Sequence, residues 1–283
     1  MTRYVDLHTH STCSDGILTP TALLDLAARR HLAAIALTDH DTVAGVAEAI
    51  CRGRTNGVEV ISGIEVSSRL DDTSLHILGY GISHEQSEFL SFLAELQQAR
   101  RDRNQSIVGR FHELGIPLRM AELEAMAGDQ IGRPHFARLL VAKGICRDSQ
   151  DAFARYLRRG SPAFVEHIRP PADEVIAHIS KAGGVAILAH PASTDPGLEK
   201  ILTIVARLKE HGLAGLEAFY PTHSGKVCRA LQKIAADHGM LVSGGTDFHG
   251  DNPSGIPLGG NAKSIRLPLK IWEEIRKRLP SAP

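Results

Sequence analysis

The sequence contains few cysteines, and none of them forms a thiol motif. The four cysteines among the 283 residues are scattered, with no CxxC pair; they are Cys13, Cys51, Cys146 and Cys228. A disulfide framework or a structural zinc site needs thiols at short, regular spacings, so both are disfavoured. We therefore expect reduced cysteines that serve mainly as packing residues.

Excess charge of one sign and long apolar runs are absent as well. Lys plus Arg and Asp plus Glu both number 32, so the net charge is zero and bulk charge supports neither nucleic-acid coating nor membrane-surface binding. No run approaches the ~20 apolar residues that span a bilayer. The start, MTRYVDLHTHS, lacks the basic and apolar stretches of a signal peptide. We expect a soluble, cytoplasmic protein with no membrane contact and no obligatory protein partner.

The sequence has instead a regular alternation of short apolar runs and amphipathic segments. Seven runs have strand length: Tyr4–Leu7, Leu32–Leu37, Val58–Val66, Leu75–Tyr80, Val185–Ala189, Leu213–Phe219 and Met240–Ser243. Helical segments lie between them, and the first begins where Thr19 can cap a helix with Pro20 at its first position. This alternation indicates an α/β fold with a mainly parallel sheet, which seven strands can close into a barrel.

The alternation stops between residues 86 and 170. There the apolar residues follow helical spacing, as Leu93, Leu96, Ile107 and Phe111 do, and Pro134 begins a further helix that Gly144 ends. We predict a barrel formed by residues 1–85 and 171–283. Residues 86–170 would form an all-helical insertion, a substrate-binding cap over the open end of the barrel.

Side chains of metal-ligating type recur where the predicted strands end. His8 and His10 follow the first strand, and strand side chains alternate between faces, so the two point the same way and can share one ion. Asp247 and His249 repeat this spacing after the last strand, and Asp39 is a candidate to orient a ligand histidine. The remaining candidates are Asp15, His40, Glu65, His76 and His190. A lone histidine is more often structural, but β/α barrels build active sites at these strand ends, so the set predicts a metal centre.

These motifs resemble those of a known family. In this order, HTHSTCSDG, LTDHD, GIE, LHILGY, AHP and GGTDFH resemble the motifs of the PHP (polymerase and histidinol phosphatase) family. The resemblance implies a distorted (β/α)7-type barrel, the PHP barrel, with metal-dependent phosphoesterase activity. In the insertion, IGRPHFARLLVAKG and FARYLRRGSPAFV resemble stand-alone members that act on nucleotides, of the 3′,5′-nucleotide bisphosphate phosphatase and 5′→3′ exoribonuclease types.

The resemblance also implies a set of metal ligands, and this sequence fills every position. It implies one ion held by His8, His10, Glu65 and Asp247, a second held by Asp15, His40 and His249, and a third held by Glu65, His76 and His190. It favours Mn²⁺, with two or three ions bound. The ligand types by themselves, imidazole and carboxylate, are equally compatible with Fe²⁺ or Zn²⁺.

Such a centre is suited to phosphate chemistry. The ions bring more positive charge than the ligand carboxylates cancel, and the remainder suits a phosphate group and a hydroxide. We therefore expect metal-assisted hydrolysis in which a metal-bridging hydroxide attacks phosphorus in line. The resemblance implies a phosphoric monoester hydrolase that removes the 3′-phosphate from nucleoside 3′,5′-bisphosphates and gives nucleoside 5′-monophosphates.

Basic residues of the insertion are candidates to bind a second phosphate on a small nucleotide substrate. They are Arg100, Arg103, Arg133, His135, Arg158 and Arg159. Arg133 and His135 are favoured, because they begin a predicted helix and a guanidinium can bind two phosphate oxygens at once. A solvated helix face is the alternative for each, and the helix dipole alone explains Arg158 and Arg159. His223 is a candidate to protonate the leaving group, although a structural role fits it equally well.

Other functions stay open. A 5′→3′ exoribonuclease on short RNA needs the same metals, although zero net charge and the lack of an aromatic stacking track disfavour long strands. A phosphatase for another small phosphomonoester, such as histidinol phosphate, fits the barrel better than it fits the inserted helices. A non-catalytic metal-binding module is expected to have closed coordination and missing ligands. An amidohydrolase would more typically use a carbamylated lysine, and no lysine lies at a convincing strand end.

Overall fold

Eight strands in the described part of the chain form one curved sheet. The computed structural model describes residues 3–127, 130–250, 255–261 and 264–280. The strands are β1 (Tyr4–Thr9), β2 (Leu32–Leu37), β3 (Glu59–Leu70), β4 (Thr73–Tyr80), β5 (Val185–Leu188), β6 (Gly215–Phe219), β7 (Leu241–Gly244) and β8 (Leu267–Pro268). Their order across the sheet is β7-β6-β5-β4-β3-β2-β1-β8. The α/β barrel predicted from the sequence is confirmed.

The sheet closes nearly into a barrel where β1 meets the chain that leaves β7. A parallel bridge joins Thr9 to Phe248, and the His10 backbone N donates to the Phe248 carbonyl at 2.9 Å. A Cβ on Gly245 would lie 2.3 Å from the Cβ of His8, closer than side chains approach. Only glycine therefore allows the two backbones to come this close.

The direction of β4 differs from that of a simple parallel barrel. β1, β2 and β3 are parallel, as are β5, β6 and β7, but β4 is antiparallel to both β3 and β5. The cause is a tight hairpin in which Asp71, with φ of 52°, and Asp72 alone connect β3 to β4. Because the strand is reversed, His76 in its first half lies at the same end of the barrel as the carboxyl ends of β3 and β5.

Helices cover the outside of the sheet and form the insertion. In chain order they are α1 (Pro20–Arg29), α2 (Val46–Asn56), α3 (Ser87–Glu113), α4 (Met120–Glu124), α5 (Arg133–Ala142), α6 (Ser149–Ala152), α7 (Ala172–Lys181), α8 (Pro191–Thr194), α9 (Ile201–Glu210), α10 (Gly225–Asp237) and α11 (Lys270–Arg276). At α1, Thr19 accepts from the Ala22 N–H and Pro20 follows, as predicted. The helix predicted at Val43–Cys51 instead spans Val46–Asn56 and ends at Gly57, whose φ is 77°.

Two apolar layers hold the barrel together. The inside is filled by residues such as Leu7, Leu78 and Ile187, and the outer face of the sheet packs Ile77 against helix residues such as Ile179. All six residues of β2 are buried, which explains their continuous apolar sequence LAAIAL. These layers fix the strand ends on which the polar side chains stand.

The segment between β4 and α7 is helical and has a core of its own. It comprises α3 to α6 and a π-helical turn, Phe153–Leu157, that continues α6. Its core includes Ile107, Phe111, Phe136 and Leu140, all fully buried. No helix within the described ranges is both long enough and apolar enough to cross a membrane.

Candidate active site

The nine side chains that the sequence singled out lie together at one end of the barrel. They come from the carboxyl ends of β1, β2, β5 and β7 or the loops that follow, from the middle of β3 and from the first half of β4. The residues are His8, His10, Asp15, His40, Glu65, His76, His190, Asp247 and His249. The structure therefore brings the whole set within one small volume, although a role as metal ligands stays a prediction for each residue.

The potential ligand atoms fall into three overlapping groups. In each group these atoms all lie within 4.8 Å of one another; the groups are His8, His10, Glu65 and Asp247; His10, Asp15, His40 and His249; and His40, Glu65 and His76. His190 lies beside the third group, because its Nε2 is 2.9 Å from Glu65 Oε1. The first group equals the set implied by family resemblance, while His10 and His40 each reach two groups.

Several buried atoms of this cluster have no hydrogen-bond partner in the described residues. They include His8 Nε2, His10 Nε2, Asp15 Oδ1, His40 Nδ1 and Asp247 Oδ1. Such atoms are costly to leave unsatisfied. They also face one another closely, since His10 Nε2 is 3.0 Å and His8 Nε2 is 3.3 Å from Asp247 Oδ1. Imidazole nitrogens and carboxylate oxygens aimed at common points fit divalent ions such as Mn²⁺, Fe²⁺ or Zn²⁺.

The charges of the cluster shift its protonation strongly. Burial lowers the pKa of His10, but the nearby carboxylates of Asp247 and Glu65 raise it to about 10. Burial raises the pKa of Asp15, but the nearby His40 and His249 bring it well below its usual value. A protonated His10 thus stabilises the neighbouring carboxylates, and a divalent ion bound here would compete with protons for the same atoms.

Glu217, on β6, was missed in the sequence and holds two residues of the cluster. Its Oε1 lies 3.1 Å from His8 Nδ1, and its Oε2 accepts from the His190 backbone N–H at 2.7 Å. A carboxylate only accepts, so Nδ1 of His8 carries a proton and Nε2 is left to face the cluster. The available signal was a single charged residue inside the apolar strand sequence GLEAF, where the side chain is fully buried.

Other polar residues fix the backbone around the cluster. Tyr220 donates its hydroxyl to Asp247 Oδ2 at 2.7 Å, which leaves Oδ1 to face His8 and His10. Asp39 does not contact a histidine of the cluster through a described hydrogen bond. It accepts from the Ser11 N–H and Oγ at 2.7 Å and from Ser14 Oγ at 2.6 Å, and so holds the loop between His10 and Asp15.

A cavity of about 170 Å³ opens beside the cluster and is lined by basic residues of the insertion. Its lining comprises Asp15, His40, Ser67, His76, Arg100, Arg103, Gly132, Arg133, Pro134, Phe153, His167 and Arg169. We call it the arginine pocket. It places four guanidinium groups in the same cavity as three members of the cluster.

The arginine pocket carries excess positive charge. Arg100 forms a buried ion pair with Asp41, and Arg169 has a distant partner in Glu166 at 3.6 Å. Arg103 is buried and has no carboxylate within ion-pair distance in the described chain. Burial and the neighbouring arginines lower its pKa to about 9. A buried cation under such repulsion favours an anionic ligand.

The structure separates the predicted basic residues into two sets. Arg100, Arg103 and Arg133 line the pocket, whereas Arg158 and Arg159 are exposed and do not. His135 is buried and caps α5, because its Nδ1 accepts from the Gly132 N–H at 2.9 Å.

Two pocket residues, His167 and Arg169, were missed in the sequence. They alternate in the extended segment just before Pro170-Pro171, so strand-like spacing was the signal that could have placed them on one side. Burial, with Arg100 and Arg103 close by, lowers the pKa of His167 to about 2, so its ring is neutral.

His223 is buried near the cluster, but it does not line the arginine pocket. Its Nδ1 donates to the Ala218 carbonyl at 3.0 Å, and its ring centroid lies 5.2 Å from that of Tyr220. Its Nε2 is buried and has no hydrogen-bond partner among the residues described. Burial lowers its pKa, so the ring is neutral at neutral pH. Proton donation to a leaving group stays a prediction.

A second and larger cavity also borders the cluster. It has a volume of about 480 Å³ and is bordered by His76 and His190. Its other polar walls are Asp72, Thr73, Ser74, Ser193, Thr194, Asp195 and Lys200. We call it the polar groove. The cluster therefore borders two cavities, and His76 lines both.

Known proteins resemble this chain over nearly its whole length. The sequence profile of the PHP domain matches residues 6–167. A 3′,5′-nucleoside bisphosphate phosphatase of Chromobacterium violaceum is 32% identical over 97% of both chains. The 5′-3′ exoribonuclease Rnm of Escherichia coli is 33% identical over 95% of this chain and 94% of its own. A structure from Bifidobacterium adolescentis, described as a metal-dependent phosphoesterase, superposes with a TM-score of 0.87 at 31% identity, covering 99% of this chain and 97% of the other.

Proposed function

This chain belongs to the PHP family and is a metal-dependent phosphoesterase, and we propose that it removes the 3′-phosphate from nucleoside 3′,5′-bisphosphates to give nucleoside 5′-monophosphates. The observation that carries the proposal is the arginine pocket, which shares its lining with the His and Asp side chains of the cluster. One phosphate at the cluster and one in the pocket match a substrate with two phosphates. The name of the relative from Chromobacterium violaceum supports the same substrate.

We propose that the nine-residue cluster holds two or three Mn²⁺ ions, with the three groups of ligand atoms as their sites. Ions bound there would activate water and neutralise the phosphoryl oxygens. The chain itself positions the ligand atoms: Glu217 sets the tautomer of His8, and Tyr220 turns one oxygen of Asp247 towards the cluster. His223 remains our candidate for donating a proton to the leaving oxygen.

The arginine pocket would hold the 5′-phosphate. Arg103, Arg133 and Arg169 offer planar groups that can bind two phosphate oxygens at once. The pocket also lies at the N-terminus of α5, where the helix dipole favours an anion. Arg100 is mainly committed to Asp41, so we assign it to the electrostatic potential of the pocket rather than to direct binding.

Phosphate release from a set of substrates tests the proposal. The Mn²⁺-loaded protein should hydrolyse adenosine 3′,5′-bisphosphate with a kcat/KM at least ~100-fold above that for AMP, or roughly 2.7 kcal/mol of discrimination. Arg103→Met should raise KM for the bisphosphate and leave adenosine 3′-monophosphate, which lacks the second phosphate, nearly unchanged. The exposed Arg159→Met serves as the matched control. Equal effects of Arg103→Met on both substrates, or faster hydrolysis of histidinol phosphate, would contradict the proposal.

A second candidate is 5′→3′ exoribonuclease activity on short RNA, and the polar groove favours it. In such a reaction the scissile phosphate keeps a downstream nucleotide, which needs room beyond the cluster. The groove provides about 480 Å³ next to His76 and His190, a volume within the usual range of ligand sites. A 5′-phosphorylated dinucleotide separates the two functions, because a higher kcat/KM for it than for the bisphosphate makes the exonuclease the main activity.

A further inference from the structure

Phe153 is an unusual side chain for its surroundings. The arginine pocket is lined mainly by charged or hydrogen-bonding groups, and its carbon side chains are Phe153 and Pro134. Both are half-buried, so part of each faces the cavity. The part of the ring that faces the cavity offers a flat apolar surface that a ligand can cover. Phe153 is therefore a candidate contact for an apolar part of the substrate.

Phe153 stands at the edge of the insertion's core: it packs against that core and also lines the arginine pocket. Phe153 begins the π-helical turn, in which the Arg158 N–H donates to the Phe153 carbonyl at 3.0 Å. Later in that turn, Tyr156 packs 5.5 Å from the ring of Phe111, and Leu157 is fully buried. Phe153 makes no aromatic stacking contact with the described residues. π-Turns inside helices are frequent at functional sites.

The arginine pocket is too small to enclose a whole nucleotide. A volume of about 170 Å³ is below the ~300–1,000 Å³ of cavities that enclose a whole small-molecule ligand. Phosphate and ribose groups occupy the arginines and the cluster in the function proposed above. The base then extends beyond the arginines, and Phe153 offers it an apolar ring in the same lining.

We infer that Phe153 is a stacking surface for the nucleobase, and that the site selects for the presence of a base rather than its identity. This inference rests on the proposed function. Every base offers a π-face, so stacking on an aromatic ring does not depend on which base is present. Selection of one base over the others needs hydrogen bonds to its edge. Among the described residues that line the pocket, no Asn or Gln side chain offers the paired donor and acceptor that read an adenine edge, and the arginines serve phosphate in the proposed function. Phe153 is therefore a specificity-determining residue for nucleotides as a class.

Kinetics with and without a base test the inference. With the Mn²⁺-loaded enzyme, Phe153→Leu should raise KM for adenosine 3′,5′-bisphosphate ~10-fold, within the range that stacking supports. KM for ribose 3,5-bisphosphate, which lacks a base, should not change, and Phe153→Trp should keep the wild-type KM for the nucleotide. Phe164→Leu is the matched control, because Phe164 contacts Arg133 and does not line the cavity; it should affect both substrates in the same proportion. Parallel changes of both substrates in Phe153→Leu, or no change, would overturn the inference.

Binding measurements separate this inference from the proposed function. Calorimetry should give the wild type similar affinities for the four nucleoside 5′-monophosphates, within ~5-fold, and a weaker affinity for ribose 5-phosphate. Phe153→Leu should remove the difference. If the base strengthens binding but no bisphosphate is hydrolysed, the proposed function fails and the role of Phe153 stands. If bisphosphates are hydrolysed but the base adds nothing to affinity, the role of Phe153 is wrong.

Discussion

Glu217 connects two residues that belong to different parts of the cluster. One carboxylate oxygen faces His8 Nδ1, and the other accepts from the backbone N–H of His190, whose φ of 26° is rare for a residue other than glycine. A carboxylate can accept at both oxygens, whereas an amide can accept at only one. The charge-neutral amide would therefore leave His8 or His190 facing an N–H donor.

This difference predicts the effect of Glu217→Gln. We expect it to weaken Mn²⁺ binding by ~10–100-fold, the usual cost of disturbing a residue that orients a metal ligand. Competition with a chelator of known affinity measures the change. Glu210→Gln, an exposed glutamate at the end of α9, is the matched control and should bind Mn²⁺ as the wild type does. Wild-type affinity in Glu217→Gln would show that the hydrogen bond to His8 is not needed.

At the scale of elements, Asp41 joins the barrel to the insertion. It stands just after β2, accepts from the Ser67 N–H of β3 at 2.9 Å, and its carbonyl accepts from Gln97 of α3 at 3.0 Å. Its second carboxylate oxygen pairs with Arg100, also on α3. One buried carboxylate thus fixes α3, and with it part of the arginine pocket, on the strand ends that carry the cluster.

Breaking this pair should cost far more stability than breaking a surface pair. Asp41→Asn leaves Arg100 buried without its counter-charge, and we expect the free energy of unfolding to fall by ~3–5 kcal/mol. Asp25→Asn, which removes a similarly direct but more exposed pair with Arg52 at 2.6 Å, should lower the free energy of unfolding far less, because solvent screens an exposed pair. Urea denaturation of the wild type, Asp41→Asn and Asp25→Asn measures both losses of stability. Similar small losses would mean that α3 is held mainly by apolar packing.

The sequence predicted elements with strong local signals and missed those defined by distant contacts. Thr19-Pro20 marked the start of α1, and histidines and carboxylates after apolar runs marked the strand ends, because both signals lie within a few residues. The reversal of β4 was not predicted, since it depends on a two-residue turn at Asp71. The importance of Glu217 was missed because its partners lie 209 and 27 residues away.

The basic residues illustrate the same limit. Arg133, which was favoured for its place at a helix start, lies in the pocket, but nothing local showed that Arg103 would face the pocket rather than solvent. His135 stands at the predicted helix start, yet its Nδ1 is used by the cap of α5. The spacing of residues along a helix predicts which side chains share a face. It does not predict which of the polar side chains on that face will pack against another part of the chain.

At the scale of the whole molecule, the cluster ties the barrel together. Its members come from six of the strands or the loops after them, and β6 contributes through Glu217. Ions held by these residues would bind the folded chain and not the unfolded one, so they should stabilise the entire barrel by mass action, by about 2.7 kcal/mol at 100 times Kd. The size of this stabilisation must depend on pH, because protons occupy the same atoms.

The sign of that dependence follows from His10. Its folded pKa of about 10 lies above the unfolded value of about 6.5, so the metal-free protein holds an extra proton between these values and loses stability as pH rises through them. For each such histidine, the free energy of unfolding falls by at most ~1.4 kcal/mol per pH unit. A ligand atom bound to an ion carries no proton, so this loss of stability disappears in the Mn²⁺ form.

Between pH 6.5 and 8.5, the free energy of unfolding in EDTA should fall, and the increase in that free energy on adding Mn²⁺ should grow. His10→Gln, measured alongside, should flatten both trends, and a gain that stays constant or shrinks with pH in the wild type would contradict ligation by this cluster.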